Sequence, residues 1–419
     1  MDVDTFAARL WSLPRSLTGN ANRQTLVIIG ETVPLKRHEV PSGTKFWSWT
    51  VPDEWNIRHA RIQDLNSDWH VDWADNYLHL LGYSTPSHHI VPGHDLDAHH
   101  LYSLPDQPDA IPYLTSYYKD RWGFCLTEKK RRRLDQDSQF EVTIDGTKGP
   151  GHMSWAEAYF KGRTRDEVLF STYICHPNLA NDNLSGMIVA TALAEYVQSI
   201  PNRRYSYRFV FAPETLGTLA YLDQAFTFGR EPVAGFVLTT LGGPGPFVFK
   251  PSKRGDTLAD RVVRHVTPLT EELPFVATGA DERYFCSPKV DWPVAVIGKP
   301  MFHTYPEYHT SLDDLDYMSS EDVEESIHLY MDIIDSLEAN RRYWTIDPGI
   351  PKLDEKGLYP TLGAAIDQKD KVRRVMETIM YSDGEHDLID IANRLDEPVT
   401  VTALLADEMV EKGVLEEDS

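Results

Sequence analysis

Four apolar runs, Glu167–Ile174, Tyr207–Ala212, Gly235–Leu241 and Pro293–Gly298, are interleaved with longer amphipathic stretches at Leu184–Ile200, Asp256–Val266 and Glu321–Tyr343. Short apolar runs bounded by turn residues read as strands, and the stretches between them repeat apolar residues at helical spacing. A chain that alternates in this way, from about Ile111 to Tyr343, has few folds open to it. The expectation is an α/β fold, a sheet flanked by helices. In such sheets the functional loops lie at the carboxyl ends of the strands.

The rest of the chain has a different texture. The first fifteen residues read as a helix with Phe6, Leu10 and Leu13 along one side, and Leu26–Gly30 is a short apolar run. From about Glu31 to Leu104, aromatics, histidines, prolines and short alternating runs (Lys45–Val51, Trp69–Trp73, Tyr77–Tyr83) predict a small, mostly β insert. Asp347-Pro-Gly-Ile-Pro351 reads as a linker. Three short helical patterns follow, Lys369–Tyr381, Asp387–Leu395 and Val399–Lys412, and they predict a winged helix-turn-helix. With 419 residues the chain exceeds one ordinary core. The expected domains are an α/β domain from residues 1–30 plus 105–346, an insert at 31–104 and a winged helix at 352–419.

Charge narrows the partners. The formal net charge is −23, which argues against general affinity for nucleic acid or anionic membrane. Residues 361–419 carry fifteen acidic against six basic side chains, and the presumptive recognition helix holds Asp407, Glu408 and Glu411 against one lysine. Phosphate contacts need the opposite sign, so a protein–protein or intramolecular docking role is expected there. No apolar run reaches the roughly 18 residues that cross a bilayer. The start, Met1-Asp-Val-Asp-Thr-Phe, lacks the basic-then-apolar pattern of a signal peptide. Cys125, Cys175 and Cys286 cannot all pair, and none has metal-ligand spacing. These features together predict a cytoplasmic protein with reduced thiols. The insert and the winged helix offer surfaces for self-association into a homo-oligomer.

Chemistry-bearing residues gather in a few phrases. Ser171–Gly186 is a strand ending at His176, then a polar loop with Asp182, then a helix; Tyr207–Gly217 is a strand that delivers Glu214. Tyr305–Asp314 holds His309 in a polar loop, and Gly279–Pro288 concentrates Asp281, Glu282 and Arg283. Nitrogen and oxygen donors at the end of a strand and the start of a helix suit zinc, and a carboxylate beside them suits a general base. Each residue also has a plainer reading. A lone histidine after a strand is commonly structural, Asp182 in Asn-Asp-Asn could cap a helix, and Asp281, Glu282 and Arg283 could form a surface ion pair.

The combination is more specific than its parts. The order His … Ala-Xaa-Asp-Asn-Xaa-Ser-Gly … strand-Glu-Xaa-Xaa-Gly … His-Thr-Xaa-Xaa-Asp resembles the zinc aminopeptidase and carboxypeptidase superfamily with its co-catalytic metal site. More closely, the chain resembles a family of aminopeptidase-like proteins in that superfamily, which carry an inserted β domain and a C-terminal winged helix. Leu13–Gly19, Trp49–Ile57, Ile111–Tyr118, Arg121–Cys125 and Ile174–Gly186 carry the likeness. The resemblance implies a mixed sheet flanked by helices. It also implies His176 and His309 as histidine ligands, Asp182 as the metal-bridging aspartate and Glu214 as the general base.

Two departures bear on the metal. The superfamily usually has a second glutamate, a ligand, where this chain has Thr215, and an aspartate ligand near Thr239, where no carboxylate stands. Each metal position thus loses one ligand, and the expected cofactor is a single zinc rather than two, held by His176, Asp182 and His309.

The expected function is a zinc-dependent hydrolase of peptide or amide bonds, most simply an aminopeptidase, with a zinc-activated water and Glu214 as base. Tyr305, Tyr308 and Arg283 are candidate donors to the developing oxyanion, Glu282 a candidate partner for a substrate α-amine, and Asp281 a candidate for orienting a ligand histidine. Two other readings use the same residues: an amidase or deacylase of a small non-peptide metabolite, and a degenerate peptidase scaffold serving a winged-helix regulator. His88, His89, His94, His99 and His100 read as a solvated loop rather than a metal tract. Trp47, Trp49, Trp55, Trp69 and Trp73 read as core.

Overall fold

The computed structural model describes residues 1–267, 271–358 and 366–418. The chain forms two compact units, Met1–Ala259 with Thr270–Ile327, and Asp260–Leu269 with His328–Ser419.

The first unit is built on an eight-stranded mixed sheet. Its strands are β1 (Lys36–Pro41), β2 (His152–Phe160), β3 (Glu167–Tyr173), β4 (Ser206–Ala212), β5 (Ala234–Leu238), β6 (Val248–Lys250), β7 (Glu271–Glu272) and β8 (Val294–Gly298). Across the sheet they run β1-β2-β4-β3-β5-β8-β6-β7. The central four, β4, β3, β5 and β8, are parallel. β1, β2 and β6 pair antiparallel. Every residue of β3, β4 and β5 is buried, as expected for parallel strands covered on both faces. Phe170 of β3 stacks between Phe209 of β4 and Phe236 of β5, with ring centroids 5.0 and 5.4 Å away. Burying one such ring contributes about 1.5–3 kcal/mol.

A charge is also buried in this sheet. Arg208 of β4 forms a bidentate pair with Glu167 of β3 at 2.7 and 2.8 Å and also bonds Glu157 of β2. The three side chains satisfy one another, which is the condition for keeping them out of water. Two helices cover the strands that matter for the site, α1 (Gly186–Ser199) after β3 and α2 (Leu216–Thr227) after β4. The predicted strands and helices of this region agree with these elements to within a few residues at each end.

A smaller four-stranded antiparallel sheet accompanies the large one. Its order is His70–Asp72, Glu54–Asp64, Gln139–Gly149, Ser87–Pro92. Its residues therefore come from both sides of residue 104, while Lys36–Pro41 of the expected insert lies on the edge of the large sheet. Strand pairing is non-local, and the alternation around residue 144 does not announce its partner. Leu26–Gly30 belongs to a helix, Asn20–Gly30, that turns Leu26 and Ile29 inward.

Two further expectations are corrected here. Trp55 and Trp73 are buried, but Trp47 and Trp49 are 58 % and 38 % exposed. They lie on a minimal hairpin, Lys45–Phe46 with Trp49–Thr50, so alternation alone does not supply a second face to bury. The insert histidines do not form a loop either. His88 and His89 are in the Ser87–Pro92 strand, His94 and His99 in a helix at Gly93–His99, and His100 stacks on Trp122 at 3.6 Å.

In the second unit, Arg342–Thr345 is the central strand between Asp383–Asp387 and Leu415–Glu417. Three helices join it, Ile366–Tyr381, Leu388–Leu395 and Val399–Glu411. Asp387 and Asp390 form a reciprocal capping box at the start of the middle helix. The architecture is thus an α/β mixed sheet flanked by helices, followed by a winged helix.

Candidate active site

The order β4-β3-β5 contains a reversal. From β3 the chain passes through α1 to one neighbour, β4, then through α2 back across β3 to the other neighbour, β5. The carboxyl end of β3 is therefore a topological switch point, the place where ligands bind in open α/β sheets. His176 follows β3, Glu214 follows β4 and Thr239 follows β5. His309 comes from a loop after β8. Four chain-distant loops thus converge because the topology sets the ends of these four parallel strands side by side.

One ligand atom from each of His176, Asp182 and His309 can be chosen so that all three lie within 4.8 Å of one another. Among the described residues, no other histidine, cysteine or carboxylate group of that size is so placed. The Asp182 side chain is fully buried. Its Oδ1 accepts a hydrogen bond from the Tyr173 hydroxyl, which also contacts Thr239 Oγ1 at 2.6 Å. Its Oδ2 lies 2.9 Å from His309 Nε2, a close charge contact. Oδ2 is buried and has no other hydrogen-bond partner. A buried carboxylate grouped with two imidazoles, one oxygen met by nothing but a histidine nitrogen, is what a cation would satisfy. The donor set, two nitrogens and one oxygen, fits zinc.

The electrostatics agree. Burial alone would raise the Asp182 pKa, but His176, His309 and the Tyr173 bond hold it at about 2. Burial pushes His176 down to about 4, so its ring is neutral and available as a donor. Tyr113 packs edge-on against both imidazoles, at 5.0 and 5.3 Å, and Tyr308 stacks on His309 at 4.0 Å. The ligand rings are therefore fenced by aromatics on two sides.

Glu214 sits at the rim. Its Oε2 is 3.8 Å from His176 Nε2, and its side chain is about a quarter exposed. Burial, with Asp281 and Asp182 nearby, pushes its pKa well above the ordinary carboxylate range. Thr215, Thr240, His303 and His309 all have positive φ, at 65°, 50°, 63° and 57°. Non-glycine residues rarely adopt such angles, and several gathered at one site mark a backbone held by its surroundings.

The remaining expected residues are placed differently from their predicted roles. Asp281 does not meet a histidine; its carboxylate accepts the Thr215 N–H at 2.8 Å and the Thr218 hydroxyl at 2.7 Å, beneath the Glu214 turn. Glu282 is 1 % exposed and bound to Lys250 at 2.6 Å, so its charge is already matched. The Tyr305 hydroxyl donates to Asp313 at 3.1 Å. Arg283 does reach the site, 3.6 Å from Glu214 Oε1.

Residues with no assigned role in the sequence reading complete the framework. Asp313 accepts the N–H groups of Asn181 and Asp182, and Arg15 Nε donates to the His176 carbonyl at 3.0 Å. The spacing His-Thr-Ser-Leu-Asp was the available signal for Asp313. Gly186 explains the last letter of the strand-loop-helix phrase. A Cβ there would stand 2.4 Å from the Leu238 carbonyl, so only glycine lets α1 start so close to β5.

A family model for a domain of unknown function (DUF4910) matches residues 4–340, and one for a winged helix-turn-helix matches residues 341–417. A protein of Clostridium acetobutylicum described as a "Putative polysaccharide biosynthesis protein with aminopeptidase-like domain" is 37 % identical over 396 residues, 93 % of this chain and 90 % of that one. A crystal structure of a "putative peptidase" from Clostridium acetobutylicum superposes with a TM-score of 0.91 at 34 % identity, covering 99 % of this chain and 96 % of that one. A zinc aminopeptidase from Bacillus subtilis shares the fold at 13 % identity, with a TM-score of 0.55 over 80 % of this chain and 95 % of its own. With its first 340 residues matched almost end to end, the chain belongs to the DUF4910 family.

Proposed function

We propose that the chain is a zinc-dependent hydrolase of peptide or amide bonds, with one zinc ion held by His176, Asp182 and His309 and with Glu214 as general base. The observation that carries this reading is the grouping of one ligand atom each from His176, Asp182 and His309 within 4.8 Å of one another, around a fully buried carboxylate. The family relative named for an aminopeptidase-like domain and the shared fold of a zinc aminopeptidase support it. A single ion is favoured because the Tyr173 hydroxyl takes Asp182 Oδ1, and Thr215 and Thr239 bring no carboxylate for a second.

Zinc, when bound there, would act as a Lewis acid on the carbonyl oxygen and make a water proton easier to remove. The residues would do the rest. Glu214 lies beside the ligand histidine, where its Oε2 can take a proton from the attacking water and return it to the departing nitrogen. Tyr173 fixes the Asp182 carboxylate, and Tyr308 limits rotation of the His309 ring.

Metal analysis of the full chain, with a screen of acyl and aminoacyl amides, tests this. One zinc per chain is expected, lost with His309→Ala, together with hydrolysis that disappears on chelation and returns with zinc. Full amide hydrolysis by metal-stripped protein, or no zinc uptake at all, would overturn the reading.

A further inference from the structure

Arg283 shares the site with Glu214, which holds it only through one long contact, and its guanidinium lies over the Tyr284 ring at 5.1 Å. A committed arginine–carboxylate pair is a short two-pronged contact. Arg208 and Glu167 show one within the same unit, at 2.7 and 2.8 Å. Arg283 Nη2 instead lies 3.6 Å from Glu214 Oε1 and 3.5 Å from the Thr215 hydroxyl, while its Nε is enclosed without a partner. Its side chain is 32 % exposed, so a solute can reach it.

The acids that could receive a substrate ammonium are engaged. Asp281 is taken by Thr215 and Thr218, and Glu282 is sealed against Lys250. Asp313 is bound by two backbone N–H groups and the Tyr305 hydroxyl. Glu214 is left, and hydrolysis needs it as a base. An ammonium group would therefore compete for the base, whereas an anion would find a loosely paired guanidinium beside it, with its Nε still without a partner.

We propose that this site selects substrates carrying a carboxylate a few bonds from the scissile amide, and that Arg283 binds that carboxylate. The identity of the cleaved bond rests on the hydrolase reading above; the anion site itself does not. Two chemical sources fit: a carboxylate on the amine side, as in an N-acylamino acid, or on the acyl side, as in a succinyl amide.

Calorimetric titration of the zinc-loaded full chain separates the cases. The ligands are N-acetylglycine and succinamate, their neutral counterparts N-acetylglycinamide and succinamide, and cationic glycinamide. At least one carboxylate should bind about tenfold or more tightly than its neutral partner and than glycinamide. Which acid wins identifies the side. Arg283→Gln should abolish the preference with the fold retained by circular dichroism, and Arg283→Lys should keep part of it. Equal binding of acid and amide, tighter binding of glycinamide, or a preference that survives Arg283→Gln would overturn the proposal. Zinc-dependent cleavage of aminoacyl amides without any carboxylate preference would sink the anion site and leave the hydrolase. An Arg283-dependent carboxylate preference without cleavage of any amide would do the reverse.

Discussion

Asp313 holds Asp182 by its backbone rather than by its side chain. The two Asp313 oxygens accept the N–H groups of Asn181 and Asp182 at 2.6 and 3.0 Å, across 132 and 131 residues of sequence. The carboxylate of Asp182 is thereby left to face the imidazoles. Asp313 therefore shapes the loop that presents a ligand without reaching a metal itself. Asp313→Ala should weaken zinc binding about 10- to 100-fold, the usual cost of losing an outer partner of a metal site. Competition against a chromophoric chelator would measure it. Unchanged zinc affinity would mean that the loop is held by other contacts.

Glu214 has a role separable from metal binding. It is beside His176, not among the three grouped ligands. Glu214→Gln keeps the size of the side chain and removes the proton acceptor. Zinc content should be unchanged, while kcat falls by about 10²–10⁴ on any amide the chain cleaves. Wild-type turnover in this variant would exclude Glu214 as the base, and loss of zinc would make it a ligand.

Acid should destabilise the metal-free chain through His176. Its folded pKa of about 4 lies below its ordinary value of 6.5 because burial penalises the imidazolium. Between those values the unfolded chain binds a proton that the folded one refuses. This contribution is fully present above pH 6.5 and is lost as pH falls from 6.5 towards 4. The gap corresponds to about 3 kcal/mol at most. Asp313, raised by burial to about 7, contributes with the opposite sign as pH rises. The test is therefore the difference in slope between wild type and His176→Gln, followed by urea unfolding at several pH values. The variant should lose less stability on acidification; parallel slopes would refute the assignment.

How far these residues were legible depends on the range of the interaction that places them. His176, Asp182, Glu214 and His309 fall at strand ends or in loops, and period and turn chemistry mark such positions locally. The fate of Asp281 and Glu282 was hidden. Adjacent in sequence, they point to Thr215 and to Lys250, partners on other elements. The same holds for Gln139–Gly149, whose alternation is local but whose pairing with Glu54–Asp64 is not. Trp47 and Trp49 show the converse limit, since alternation predicts two faces and only packing decides whether either is covered.

The winged helix should not bind duplex DNA. Binding DNA depends on uncommitted cations that replace counterions at phosphates. Several cations of this unit are committed to acids: Arg374 meets Glu397 at 2.7 Å, Arg341 meets Asp407 at 3.3 Å and Lys412 meets Glu408. The helix that would enter a groove, Val399–Glu411, exposes Val401, Leu404 and Val410 instead. Apolar side chains beside carboxylates suit a protein surface better than a phosphate backbone. Fluorescence anisotropy of the full chain with random-sequence duplexes should show no binding tighter than about 10⁻⁴ M at 150 mM salt, the weak end of non-specific affinity. Tight binding that weakens steeply with added salt would refute this and require an uncommitted basic surface.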